Sequence, residues 1–154
     1  MASTITPATL TLSISESVTL NGKQQGGTTT HTISSINEVF KRIVTCPASV
    51  NSRLLLFAAA VNTVPAAFDV DDAKYVRITN LDDTNAVTVS IAGSATLYQV
   101  NLAAGESYVL GAPKSYLLAE EDLNPSFGTL EDVGQITVNP GSNAVDLELF
   151  VASA

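Results

Sequence analysis

The alternation of polar and apolar residues is the feature that most constrains how this chain can fold. It is nearly strict over residues 9–15 and recurs over residues 86–91, 97–102 and 144–151. A period of two places the apolar side chains on one face of a β-strand, whereas an amphipathic helix needs a period near 3.6. No long segment carries a helical stripe of apolar residues. The sequence therefore predicts an all-β protein.

Turn signals separate the alternating segments. Asn21-Gly22 is a strong hairpin dipeptide, since both positions tolerate a positive φ. Residues 82–85 and 139–142 are rich in Asp, Asn, Pro and Gly, which favour tight turns. Strands spaced by roughly 8–12 residues are typical of sandwiches and barrels. We expect about nine or ten strands in a single antiparallel β-sandwich, jelly-roll-like, that spans residues 1–154 as one domain.

Two segments need separate interpretation. Residues 1–9 are either an extended N-terminal arm that reaches a neighbour or the first strand of the sandwich. Residues 53–61 are almost continuously apolar, which is typical of a strand covered on both faces. We therefore expect residues 53–61 to form the central strand of the fold, with Leu55 in the core.

Composition excludes several function classes. The chain has 7 basic and 15 acidic residues, hence a net charge of −8, and only 14% charged residues against about 25% in an ordinary domain. So few basic residues argue against binding to nucleic acid and against docking on an anionic membrane. The N-terminus lacks the features of a secretory signal, so we expect synthesis in a cytoplasm without signal-directed export.

No residue cluster in the sequence indicates chemistry. His31 lies in a run of threonines without further metal ligands. Cys46 is the one cysteine, so no intrachain disulfide forms, and we expect a buried thiol. We interpret the acidic groups as solvated loops; they are Asp69, Asp71, Asp72, Asp82, Asp83, Glu120, Glu121 and Asp122. We therefore predict no catalytic, cofactor-binding or metal-binding residue, no cofactor and no enzymatic activity.

A family resemblance is carried by residues 75–119. Residues 75–82 (YVRITNLD), 85–89 (NAVTV) and 98–110 (YQVNLAAGESYVL) form a strand, an Asn-Leu-Asp turn and further strands. The block resembles the small all-β virion proteins of tailed bacteriophages, particularly capsid decoration (cement) proteins. The turn at residues 102–106 resembles a Leu-x-Pro-Gly-Glu corner of such sandwiches, with Ala104 in place of the proline. The resemblance implies a jelly-roll-like sandwich, assembly on a virion and no catalysis.

The leading hypothesis is a capsid decoration subunit that stabilises a phage head by bridging copies of the major capsid protein. We expect a homo-oligomer, with a trimer favoured, because lysines that protect sheet edges are scarce; they stand only at positions 23, 41, 74 and 114. Its expected location is the capsid surface of a virion assembled in the host cytoplasm. The alternative is a tail or fibre component, or a receptor-binding module that recognises a surface glycan, and a third hypothesis is a hydrolase of unrecognised type.

Overall fold

Thirteen strands and no helix are found in the computed structural model, which describes residues 4–59, 66–119 and 124–154. The all-β prediction is therefore confirmed. The strands are β1 (Ala8–Ser15), β2 (Thr19–Leu20), β3 (Lys23–Gln24), β4 (Thr28–Ile36), β5 (Glu38–Cys46), β6 (Ser52–Ala58), β7 (Phe68–Asp69), β8 (Ala73–Asn80), β9 (Val87–Ala92), β10 (Leu97–Leu102), β11 (Ser107–Val109), β12 (Gln135–Asn139) and β13 (Val145–Ser153).

Eight of the strands form a sandwich of two sheets. One sheet has the order β10-β9-β12-β6, to which the short β7 adds in parallel, and the other has the order β11-β8-β13-β5. The pairing is nested: β5 pairs with β13, β6 with β12, β8 with β11 and β9 with β10. In this nested order the first strand of the sandwich pairs with the last, an arrangement that resembles a jelly roll.

The core lies between these two sheets and is supplied by alternate residues of each strand. Ile91 and Ile136 of the first sheet and Val76 and Leu147 of the second have no exposed surface. Each of these strands buries one residue in two over its central part, which the alternating sequence predicts. Burial of this continuous apolar layer is the main force that holds the two sheets together.

The apolar segment at residues 53–61 does not form a strand covered on both faces, so this prediction is wrong. Strand β6 buries Leu55 and Phe57 and leaves its alternate residues half-buried or exposed. Leu55 pairs with Ile136 but Arg53 pairs with Thr137, so Leu54 is the extra residue of a β-bulge. The bulge lets both Leu54 and Leu55 pack against the core, which explains the unbroken apolar run. Residues 60–61 lie outside the described part.

Residues 8–36 form a separate two-stranded ribbon, which we call the arm. Strand β1 pairs only with β4, and β2 pairs only with β3 across the Asn21-Gly22 turn. Asn21 and Gly22 have φ values of 50° and 73°, which confirms the predicted hairpin turn. An arm is therefore present, but it is much longer than residues 1–9 and β1 is not a strand of the sandwich.

The described loops contain an isolated bridge between Leu117 and Glu131. The acidic residues Glu120, Glu121 and Asp122 lie outside the described residues. Nowhere in the described part of the chain does a helix occur that could span a bilayer.

Candidate assembly surface

One face of the arm carries the apolar residues of β1, and the other face carries hydroxyl side chains. Leu10, Leu12 and Ile14 alternate along β1; Leu10 stands opposite Ile33 of β4, whereas Leu12 and Ile14 stand opposite His31 and Thr29. The other face carries only threonine and serine, which pair across the ribbon; they are Thr11, Ser13, Ser15, Thr28, Thr30 and Thr32. A ribbon with this asymmetry can pack on another surface through one of its faces.

The root of the arm already packs on the sandwich. Leu10, Leu12 and Ile33 are half-buried against a small cluster on the outer face of the β8–β13 pair. The cluster contains Tyr75 and Ala152, which are buried, together with Ile36 and Phe150. The rings of Tyr75 and Phe150 meet edge to face with centroids 5.9 Å apart. This intramolecular seat fixes where the arm leaves the body.

Beyond this seat the apolar residues of the arm are uncovered. Ile14, Val18 and Leu20 are 55%, 51% and 61% exposed. From Leu12 to the turn at Asn21 a ribbon extends about 30 Å at the usual rise of a strand. The uncovered part carries apolar side chains that an isolated arm would keep in water.

The arm is hydrogen-bonded as far as its turn. The side-chain oxygen of Gln24 accepts from the backbone N–H of Val18 and of Gln25, both at 3.1 Å. The N–H of Glu16 donates to the carbonyl of Gly27 at 2.9 Å. A Cβ at Gly26 would lie 2.0 Å from the Glu16 carbonyl oxygen, so only glycine allows the two strands to approach this closely.

The outer face of β5 lies on the same sheet as the seat of the arm. Its Val39 and Ile43 side chains are 55% and 58% exposed. Between them Lys41 pairs with Glu148 of β13 at 3.0 Å, and Glu148 also accepts from Arg77 at 2.6 Å. The hydrogen bond from Lys41, followed by the one from Arg77, lowers the pKa of Glu148. An ionic row therefore crosses this face between two uncovered apolar residues.

Charge is distributed unequally between the arm and the rest of the chain. The charges of Glu16 and Lys23 are the only ones in the first 36 residues, and they cancel. The whole net charge of −8 therefore lies on residues 37–154. Two copies of the sandwich repel one another, whereas a neutral arm approaches a second sandwich without that repulsion.

His31 and Cys46 differ in their exposure to solvent. His31 is exposed on β4, opposite Leu12. Cys46 is fully buried at the end of β5, where burial, followed by the charge of Asp146, raises the pKa of its thiol. The expected burial of Cys46 is confirmed.

The acidic residues bond to the turns in which, or beside which, they lie. Asp82 accepts from the backbone N–H groups of Asn85 and Thr84 at 2.6 and 2.8 Å, and these bonds lower its pKa. Asp69 accepts from the N–H of Asp71 at 2.9 Å, and Asp71 pairs with Lys114. In the described ranges no three His, Cys, Asp or Glu residues gather as a metal site would require.

Two polar clusters escaped prediction because their members are distant in sequence. The hydroxyl groups of Tyr98 and Tyr108 meet at 2.5 Å where the edges of the two sheets approach, and burial raises the pKa of both phenols. Glu131 accepts from the backbone N–H groups of Ser94 and Thr96 at 2.9 and 2.7 Å, and from the Ser94 hydroxyl. These bonds, with that of the Ser94 hydroxyl first, lower the pKa of Glu131 to about 2.

The Glu131→Gln variant is expected to melt below the unchanged protein at neutral pH and to match it in acid. The folded-state pKa of about 2 lies below the ordinary 4.5, so the carboxylate contributes stability above pH 4.5 and loses it as the pH falls toward 2. Thermal unfolding followed at a series of pH values measures the gap. The exposed Asp83, whose bond is to the Thr84 hydroxyl, supplies the control Asp83→Asn, which should show little change. A gap that stays constant with pH would contradict the assignment.

Within the segment that carries the family resemblance, residues 80–85 and 102–106 build a corner at the opposite end of the sandwich from the arm. Asn80 is fully buried, and its side-chain amide donates to the carbonyls of Asn85 and Ala103 at 2.8 and 3.1 Å. Gly105 has a φ of 74°, and the Glu106 carboxylate accepts from the Ala103 N–H at 2.9 Å. Asn80 and Glu106 of this segment therefore hold the loops of the corner together through hydrogen bonds.

Comparison with known proteins identifies one distant structural match. The sequence matches no family model and no curated protein. One solved structure, from work describing Bacillus endospore appendages as a family of disulfide-linked pili, matches with a TM-score of 0.39 and 10% identity over 75% of this chain and 88% of that chain. We draw nothing about function from so distant a likeness.

Proposed function

We propose that this chain is a non-enzymatic structural subunit, and that it decorates the capsid of a tailed bacteriophage. The observation that carries the structural role is the arm, whose apolar face is seated at its root and uncovered from Ile14 onward. A two-stranded ribbon alone is marginally stable in water. The uncovered part of the arm therefore gains stability when another protein surface covers it.

The unprotected strand edges support the same role. Both outer edges of the arm are unpaired, and in the sandwich β5 and β10 each have a neighbour on one side only. Monomeric proteins blunt such edges with lysine or proline. Within strands β1, β4 and β10 there is neither, whereas β5 carries Lys41. Contact with further subunits would cover the unprotected edges, which supports a homo-oligomer, with a trimer favoured as in the sequence-based hypothesis.

The capsid is the proposed location because of the resemblance of residues 75–119 to capsid decoration proteins. In this chain the resembling residues fasten a corner of the sandwich through Asn80, as a structural motif should. The proposed partner is the major capsid protein, which the subunit bridges on the capsid surface. The alternative location is the tail or fibre of the same kind of particle, where a subunit of this shape would bind a receptor or a glycan.

Copy number in purified particles tests this proposal. Particles are isolated from the native source by density centrifugation, and the chain is quantified by mass spectrometry against the most abundant particle protein. A copy number comparable to that protein supports decoration of the capsid. A small number that matches tail symmetry supports the tail or fibre alternative. Absence of the chain from every particle fraction would overturn both locations.

A further inference from the structure

We propose that the arm of one copy docks its uncovered apolar part on the outer face of β5 in a second copy of this chain. This inference rests on the proposed structural role and adds the partner and the surface. The arm supplies Ile14, Val18 and Leu20, and the acceptor supplies Val39 and Ile43. All five side chains are between 51% and 61% exposed in the single chain.

The acceptor is continuous with a contact that already exists. The root of the arm packs on Ala152 and Phe150 of β13, on the outer face of the β8–β13 pair. In the antiparallel register Val39 stands opposite Ala152, and Ile43 stands opposite Glu148, on that same face. A second arm laid over β5 therefore lies beside the seat of the chain's own arm and covers Val39 and Ile43 on either side of Lys41.

Opposite charges match the arm to the outer face of β5. On that face of β5 Lys41 lies between Val39 and Ile43, whereas Arg42 lies on the opposite face of the strand. The single acidic residue of the arm, Glu16, lies between the uncovered Ile14 and Val18. An arm laid on β5 therefore brings Glu16 toward Lys41, with an exposed apolar residue on either side of each.

The arm reaches a second copy and not its own β5. Its hydrogen bonds run from Leu10 to the Asn21-Gly22 turn, so it does not fold back on the body, and both surfaces stay uncovered in the single chain. The two surfaces differ, so each copy gives one arm and accepts another. A junction of this kind closes into a ring when the rotation between copies permits it, which is compatible with the expected trimer.

Two complementary variants test the junction. The arm variant carries Val18→Asp with Leu20→Asp, and the acceptor variant carries Val39→Asp with Ile43→Asp. The control carries Thr11→Asp with Thr30→Asp, which places the same two charges on the hydroxyl face of the arm. All six positions are exposed, so each variant should keep the far-ultraviolet circular dichroism spectrum of the unchanged protein.

Mass measured by multi-angle light scattering across the micromolar range gives the result. We expect an oligomer for the unchanged protein and for the control, and a monomer for each of the two junction variants alone. An equal mixture of the two should give dimers, because an intact arm then meets an intact acceptor once and the assembly cannot grow. A monomeric unchanged protein, an oligomeric arm variant or a mixture without dimers would each overturn the inference.

The outcome is separable from that of the proposed function. Self-assembly through the arm with no chain in any particle would support this inference and overturn the capsid role. A chain abundant in particles but monomeric in solution would support the capsid role and overturn this inference.

Discussion

The Leu55→Asp variant is expected to lose the folded sandwich. Leu55 is 2% exposed, faces the second sheet from β6 and belongs to the main core cluster. A carboxylate there has no partner, and its burial costs several kcal/mol, a large share of the roughly 5–15 kcal/mol by which a domain is stable. Thermal unfolding measured by circular dichroism should show a greatly lowered Tm or no transition.

Arg53→Asp is the matched control for this change. Arg53 lies two residues earlier on the same strand, but the bulge at Leu54 turns it outward, and it is exposed. A surface change of this kind usually alters the free energy of unfolding by about 0.5 kcal/mol or less. If Leu55→Asp melted at the same temperature as the unchanged protein, residue 55 would face solvent and the register of β6 would be wrong.

The Asn80→Asp variant is expected to be the second most damaging. It preserves side-chain shape but replaces an amide donor, bonded to the carbonyls of Asn85, Leu102 and Ala103, with an anion facing the same oxygens. Leaving buried groups unsatisfied and adding a charge should cost about 3 kcal/mol or more. At roughly 2–4 °C per kcal/mol for a chain of this size, Tm falls by about 6–12 °C.

The pH dependence of that loss distinguishes its cause. A protonated carboxyl donates one hydrogen bond, so the penalty should shrink as the pH is lowered toward about 4. Asn101→Asp makes the same chemical change on the exposed side of β10 and should leave Tm nearly unchanged. A small and pH-independent effect at Asn80 would show that the corner does not depend on its amide.

The strands were predictable where the alternation is strict and ends at a turn residue. The alternating segment at residues 97–102 has the same bounds as β10, and Asn21-Gly22 forms the expected turn. A repeat of two residues shows which side chains lie on the same face of a strand. It does not report a bulge, so the extra residue at Leu54 made an alternating strand resemble one that is buried on both faces.

The assembly surface could not be predicted in the same way. Strand β1 alternates as regularly as β13, yet one lies in an exposed ribbon and the other at the centre of a sheet. Alternation is a local property, whereas the covering of a face depends on which distant strand packs against it. The hydrogen bonds to Glu131 and the Tyr98–Tyr108 contact likewise join groups that only the tertiary fold brings together.

The nested pairing of the strands also determines when the sandwich can form during synthesis of the chain. Strand β5 pairs with β13 in a contact that joins Thr45 to Asp146, 101 positions later. Loop closure over such separations makes folding slow. The arm emerges from the ribosome well before Ala152, on which its root packs, has been synthesised. During that interval the arms of nascent chains on one messenger RNA have no body to pack on, so the yield of folded protein in the cell should depend on how quickly β13 is synthesised after β1.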